Sequence, residues 1–269
     1  MDISPAKLAE FLRREPWENL TYKTPPEAAA VSGMISTSER KMLTWLVANL
    51  YSGKGEIVDL GAFIGASAVC LAAGLSASRA ADKRKRIHSF DRFTGDYPVE
   101  WIRQNTNFTT DGASYLNVYR KQMQSFAECI DVIPGDLLEI GWNGKPIEVL
   151  FLDVLKSAPL ATAVVSNFFP SLQPGSIVIA QDYLHESLPY TVGVMEHFSE
   201  FFIRAGDTKR GSVLFVVSGD IPATTFRWGD IPETLRLDYL IRAAAKESSF
   251  VGREMMANLI ADFVRGKYR

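Results

Sequence analysis

Five aspartates close or follow short apolar segments in this chain: Asp59 in EIVDLG, Asp91 in IHSFD, Asp136 after IDVIPG, Asp153 in IEVLFLD and Asp182 in GSIVIAQD. Carboxylates accept hydrogen bonds from hydroxyls, hold hard cations and take protons. One such Asp is ordinary, because Asp also opens turns and caps helices. Five gathered along one sheet edge point to a ligand site. Two further groups stand close by in sequence. Lys156, three after Asp153, is either a general base or a surface lysine at a helix start; as a base it needs its proton affinity brought down from about 10.4 by burial or a nearby cation. His185, three after Asp182, suits proton abstraction near neutral pH or simply faces solvent. His88, inside a strand, and His197, mid-helix, read as structural.

The first strand runs into VDLGAFIGASAV, a turn rich in small residues. Glycines let the backbone approach a ligand, and a helix N-terminus offers free N–H groups. A nicotinamide fingerprint reads G-x-G-x-x-G with an acid about 20 residues on. Here Gly61 and Gly65 lie four apart and no Gly-Lys-Ser/Thr follows, so neither that fingerprint nor a P-loop is present.

Something must position these groups. Strand-like segments at 56–60, 87–91, 130–136, 147–153, 175–182 and 212–219 alternate with helical patterns. Residues 4–14 suggest a short helix that stops at Glu15-Pro16. Ser36 and Glu39 have capping-box spacing ahead of the stripe Leu43, Leu46, Val47 and Leu50. Leu116, Tyr119, Met123 and Phe126 mark another helix, residues 157–168 a third, and Leu188, Val192, Met195, Phe198 and Phe202 a fourth. Residues 93–112 read as irregular, with Tyr97, Trp101 and Phe108 either lining a lid or packing a loop. Two amphipathic tail helices follow residue 232: one carries Leu237, Leu240, Ile241 and Ala244, the other Met255, Leu259 and Phe263. Such alternation predicts βαβ units and a mainly parallel sheet with helices on both faces, binding its ligand at the carboxyl ends of the strands.

Composition removes several function classes. Lys plus Arg number 29 and Asp plus Glu 31, a net charge of −2 with pI near 6. Nucleic acids and anionic membranes are met with surplus positive charge, so neither partner is expected. The basic run KRKR at 83–86 reads as a solvated turn. Two cysteines, Cys70 and Cys129, build neither a disulfide framework nor a four-thiolate zinc site. With acid and base early in MDISPAKLAEFLRREPW, no secretion signal is read, and the expected setting is reducing cytoplasm. The uncharged stretches 60–78 and 157–181 are rich in Gly and Ala or broken by prolines, and read as buried core rather than membrane spans.

The motifs together resemble the class I S-adenosylmethionine-dependent methyltransferases, over residues 30–220. Asp59, Gly61, Gly65 and Ser67 are similar to that family's first motif, Asp91 to its ribose-binding acid, and Gly135-Asp136-Leu137 to its adenine-contacting segment. The resemblance implies a Rossmann-like α/β fold with a mainly parallel seven-stranded sheet. It places an N-terminal helical segment at 1–52, the cofactor-binding core at 53–220 and a C-terminal helical extension at 221–269, in one compact domain. It also implies S-adenosylmethionine as cofactor, contacted by Asp59, Gly61, Ala62, Phe63, Gly65, Ser67, Asp91, Arg92, Asp136, Leu137 and Asp153.

Two branches are most similar. SFDRFTG and the Asp153…Gln181-Asp182-Tyr183 pairing resemble bacterial sugar O-methyltransferases of the macrolide and aminocoumarin type. FLDVLK resembles the catechol-type O-methyltransferases, which implies magnesium on the aspartate and a lysine base. The catalytic candidates are therefore Asp153, Lys156, Asp182 and His185: either Asp153 and Asp182 hold a magnesium ion, with the Gln181 carbonyl as a neutral third, or no ion is used and one of the two acids or His185 is the base. Gln181 stands where both branches have an acid, and Leu155 where the sugar enzymes have a second Asp. The acceptor expected is a sugar or other small hydroxylated molecule. A catalytically silent cofactor-binding protein and an N-methyltransferase are the alternatives, and a homodimer through the tail helices is one use for their apolar stripes.

Overall fold

The computed structural model describes residues 3–84, 86–208, 211–223 and 226–268. Lys85 of the basic run, and the first two residues of the N-terminal segment, lie outside them. Seven strands form one mostly parallel sheet: β1 Glu56–Leu60, β2 Ile87–Asp91, β3 Ile130–Pro134, β4 Ile147–Leu152, β5 Leu172–Ala180, β6 Phe202–Asp207 and β7 Val213–Val217. Their order is β3-β2-β1-β4-β5-β7-β6, so chain order reverses between β1 and β4, the place where doubly wound sheets bind ligands. The helices are α1 Pro5–Leu12, α2 Pro26–Ala30, α3 Thr37–Leu50, α4 Ala66–Ala77, α5 Asp96–Asn105, α6 Leu116–Gln122, α7 Ala158–Phe168, α8 Pro189–His197, α9 Glu233–Lys246 and α10 Phe250–Val264. The fold is the α/β, Rossmann-like arrangement the motifs imply.

By internal contacts the chain divides into two units. One comprises Pro16–Ile140 with Ile147–Phe151. In it β1, β2 and β3 run parallel, with Asp59 level with Ser89 and Asp91 level with Pro134. Every residue of β1 is buried, as befits a parallel strand covered on both faces. Helix α3 begins on the expected capping box: Ser36 N–H donates to Glu39 Oε2 at 2.7 Å, and Glu39 N–H donates to Ser36 Oγ at 3.3 Å. Helix α4 is buried almost all round against α3. Its Gly74 has no room for a side chain, since a Cβ there would lie 2.6 Å from Thr44 O. Close helix packing thus explains the uncharged stretch after Asp59. Among the described residues no helix is long and apolar enough to cross a membrane.

One expectation is corrected in this unit. The irregular stretch 93–112 contains the three-turn helix α5. It escapes a sequence reading because Gly95, Pro98 and the polar residues around it read as loop, and Ile102 alone is buried.

The second unit comprises the residues up to Glu15, Gly141–Pro146, and the chain from Leu152 onward. Strand β7 lies antiparallel between β5 and β6. Strand β6 was not expected; Phe202 reads as the last apolar position of the preceding helix. That helix stops at His197, and the chain turns through Phe201 N–H donating to Phe198 O at 2.9 Å. Phe202 then opens an edge strand whose Arg204 and Gly206 obscure its β pattern. Helix α1 packs on β6 and β7.

The tail helices continue the same unit, α9 against α8 and α10 against α9. Two buried carboxylates tie them down. Glu196 takes Lys246 Nζ at 2.7 Å, and Glu247 takes Arg204 Nη2 at 2.9 Å. His197 Nδ1 lies 2.8 Å from Tyr239 Oη, and burial lowers its pKa, in keeping with a structural role. Gly193 of α8 lies flat against Trp228, whose ring carbons occupy the space of any Cβ. Gly193→Ala is therefore expected to destabilise the protein by about 1–3 kcal/mol, read as a lower urea midpoint, because neither helix backbone nor indole yields freely. An unchanged midpoint would show that Trp228 can move aside.

Candidate active site

Of the expected cofactor residues in the first unit, Phe63 meets the Asp91 carboxylate, together with Phe93 and Tyr115. Asp91 Oδ2 accepts the Phe63 N–H at 2.9 Å, and its Oδ1 accepts the Phe93 N–H at 2.7 Å and the Tyr115 hydroxyl at 2.7 Å. Phe63 (φ 47°) and Phe93 (φ 53°) both sit in the left-handed region, where a bulky residue carries strain of about 1–3 kcal/mol. The carboxylate at the end of β2 holds both amides there. Gly61 (φ 91°) and Gly65 (φ 98°) complete the loop. Gly65 also has Met123 Cε and the Tyr119 ring where a side chain would go. The first turn of α4 has neither a side-chain cap nor an acid, so its N–H groups are open to a polar ligand.

Asp136 lies beside this loop because Gly135 N–H donates to Asp91 O at 2.9 Å. Its Oδ1 accepts the Leu138 N–H at 3.0 Å, and its Oδ2 is 4.0 Å from Arg92 Nη1. Leu137 is buried and Arg92 largely exposed. Tyr115 is the residue the sequence did not single out, being one aromatic in a polar run 24 positions beyond Asp91. Burial first, and then the charge of Asp91, raise its pKa well above the ordinary phenol range, so it remains a donor. Phe63 meets Trp101 edge-on at 5.3 Å and Tyr115 at 5.6 Å, so Trp101 belongs to the aromatic wall over Asp91. Tyr97 is exposed, and Phe108 lies under Lys121.

Asp59 is fully buried, its Oδ2 accepting the Ser89 hydroxyl at 3.1 Å. Burial pushes its pKa up to about 7; the Ser67 and Ser89 hydroxyls oppose the rise, and Asp91 adds to it. The folded state therefore holds this proton above the unfolded value of about 3.9. Its contribution to stability is complete below that value and is lost as pH rises through about 7. Asp59→Asn is expected to flatten the stability profile between pH 5 and 7.5 by up to about 1.4 kcal/mol per pH unit. Urea unfolding at the two pH values checks this, and equal slopes in both proteins would refute it.

The other candidates belong to the second unit. Asp153 follows β4, Asp182 lies just past β5, and Gln181 N–H donates to Leu152 O at 3.0 Å, tying the two strand ends together. Asp182 takes a left-handed turn (φ 57°) that Asp tolerates better than most residues. Lys156 is fixed by a tight turn, its N–H donating to Val154 O at 2.7 Å, and the next residue, Ser157, caps α7. Its Nζ stands 2.9 Å from Asp153 Oδ1 and 3.8 Å from Asp182 Oδ2. His185 is exposed, and its Nδ1 accepts the Ser187 N–H at 3.1 Å, which leaves the neutral ring a donor at Nε2.

These residues do not fit a resident magnesium ion. An ammonium already stands against both carboxylates on which the ion would sit. Among the described residues no three His, Cys, Asp or Glu side chains gather as a metal cage.

A family model described as a methyltransferase domain matches residues 58–183. No curated protein matches the sequence. Among solved structures, the O-methyltransferase NovP is 17% identical, with 67% of this chain and 78% of that chain covered and a TM-score of 0.48. CalS11, described as a TDP-rhamnose 3'-O-methyltransferase of calicheamicin biosynthesis, is 15% identical over 84% of this chain and 94% of its own, with a TM-score of 0.48. An O-methyltransferase from Bacillus cereus in complex with SAH is 14% identical over 79% and 99%, with a TM-score of 0.47. The matched span runs from β1 to the turn after β5 and holds both the Asp91 cradle and the Asp153–Lys156–Asp182 group; residues 58–183 of this Rossmann-like α/β fold are thus similar to a methyltransferase domain.

Proposed function

We propose that this chain transfers a methyl group from S-adenosylmethionine to a hydroxyl oxygen of a sugar or other small molecule. The observation that carries the reading is the lysine-bridged acid pair Asp153 and Asp182 inside the span similar to a methyltransferase domain. Asp91, held by three donors, keeps acceptor capacity for a ribose hydroxyl, because a carboxylate offers about four lone-pair sites. The open first turn of α4 and the glycine loop receive the polar end of the cofactor. When bound, S-adenosylmethionine supplies a methyl on a positively charged sulfur, so the C–S bond breaks toward sulfur as the new C–O bond forms.

The remaining work belongs to the protein. Orientation of the acceptor can contribute about 7–11 kcal/mol, and a placed base about 10²–10⁴-fold. Asp182 is the base in this reading. Its carboxylate is held less closely by Lys156 than that of Asp153, and it receives the hydroxyl proton. As an ammonium, Lys156 is a donor only and offsets the repulsion between the two acids.

The test is incubation with S-adenosylmethionine and a panel of hydroxylated sugars and phenols, followed by detection of S-adenosylhomocysteine. Product from a hydroxyl acceptor supports the reading. Calorimetric binding of the cofactor with no product from any acceptor favours a silent binding protein, and product only from amines favours N-methylation.

A further inference from the structure

We propose that Lys156 is a built-in cation, holding Asp153 and Asp182 where a divalent ion would otherwise sit, so that this centre works without a metal. The inference rests on the methyl-transfer reading for its purpose, but not for its geometry. Two carboxylates at neighbouring strand ends repel one another unless a positive charge stands between them. Here Nζ lies 2.9 Å from one and 3.8 Å from the other. The carboxylates are mostly shielded, with 22% and 24% of their side-chain surface exposed, while the lysine is half exposed.

Four local features fix this arrangement. The tight turn at Val154–Lys156 and the Ser157 cap set where the lysine leaves the chain. The left-handed turn at Asp182 and the Gln181–Leu152 hydrogen bond set the acid opposite. Charge decides the rest. Two carboxylates and one ammonium leave a single net negative charge, so the pull on a divalent ion is weakened by the like charge already standing 2.9 and 3.8 Å from the two acids. Gln181, buried with no hydrogen-bond partner on its Oε1, adds a neutral amide rather than the third charge that would tip the balance toward a divalent ion. Lys156 is thus a positioning residue: it acts on the acceptor through the two acids.

The experiment is isothermal titration of the chelator-treated full chain with manganese chloride, without cofactor or acceptor. The wild type is expected to show no binding at millimolar metal. Lys156→Met keeps the length of the side chain without its charge, and is expected to bind Mn²⁺ on the order of tenfold or more tighter than the wild type. Adding Asp182→Asn should erase that gain. The proposal is overturned if the wild type binds Mn²⁺ at micromolar concentration, or if Lys156→Met gains nothing while its circular dichroism and melting remain native. Turnover separates this from the methyl-transfer reading. Undiminished product in chelator supports both, and loss of product restored by magnesium overturns the built-in cation alone. Absence of product from every hydroxyl acceptor, beside the expected titrations, sinks the O-methyl reading and leaves the cation assignment standing.

Discussion

Asp91→Ala is expected to lower affinity for S-adenosylmethionine by about 10- to 10²-fold, measured by calorimetry. Losing a charged hydrogen-bond partner costs about 1.5–3 kcal/mol, and after its three donors this acid keeps about one lone-pair site for a ribose hydroxyl. The same substitution also strands the Phe63 and Phe93 amides and the Tyr115 hydroxyl, all of which donate to Asp91. Both amides belong to residues strained into the left-handed region, so the loop should relax and the melting temperature should fall as well. Tyr115→Phe separates the two effects. It removes one donor to the carboxylate while leaving the acid, so it should lower stability by about 1.5–3 kcal/mol and change affinity little. Unchanged affinity in Asp91→Ala, beside lowered stability, would make Asp91 a loop anchor only and sink the ribose assignment.

Asp182→Asn is expected to lower turnover by about 10²–10⁴-fold, the usual worth of a placed base, with cofactor affinity unchanged. Asn is the informative replacement because it tolerates the left-handed turn that Asp182 occupies, whereas Ala adds backbone strain to lost chemistry. The hydrogen bonds that shape the cofactor loop end on Asp91 and come from Phe63, Phe93 and Tyr115, so the substitution should leave binding alone. Wild-type turnover in Asp182→Asn would move the proton acceptor to another group. Wild-type turnover in Asp153→Ala, Asp182→Ala would move the whole reaction centre.

The sequence by itself determined the strand-end aspartates, the glycine turn and most of the sheet, because those features are written in local chemistry. Short strand-like segments that end at or beside an Asp mark β1, β2 and β4, and the Ser36–Glu39 spacing marks the start of α3. It lost α5, where Gly95, Pro98 and the polar residues around it read as loop, and β6, whose Phe202 continues the helical stripe of α8. The tertiary structure decided what the site residues do to one another. Phe63, Phe93 and Tyr115 meet Asp91 from positions 28, 2 and 24 residues away in the chain, a convergence no spacing encodes. Lys156 reads from sequence as a base or a surface residue, and it becomes a bridge between two acids only because Gln181 and Leu152 bring the ends of β4 and β5 together. Charges act through distance in space, and that distance is set by the fold.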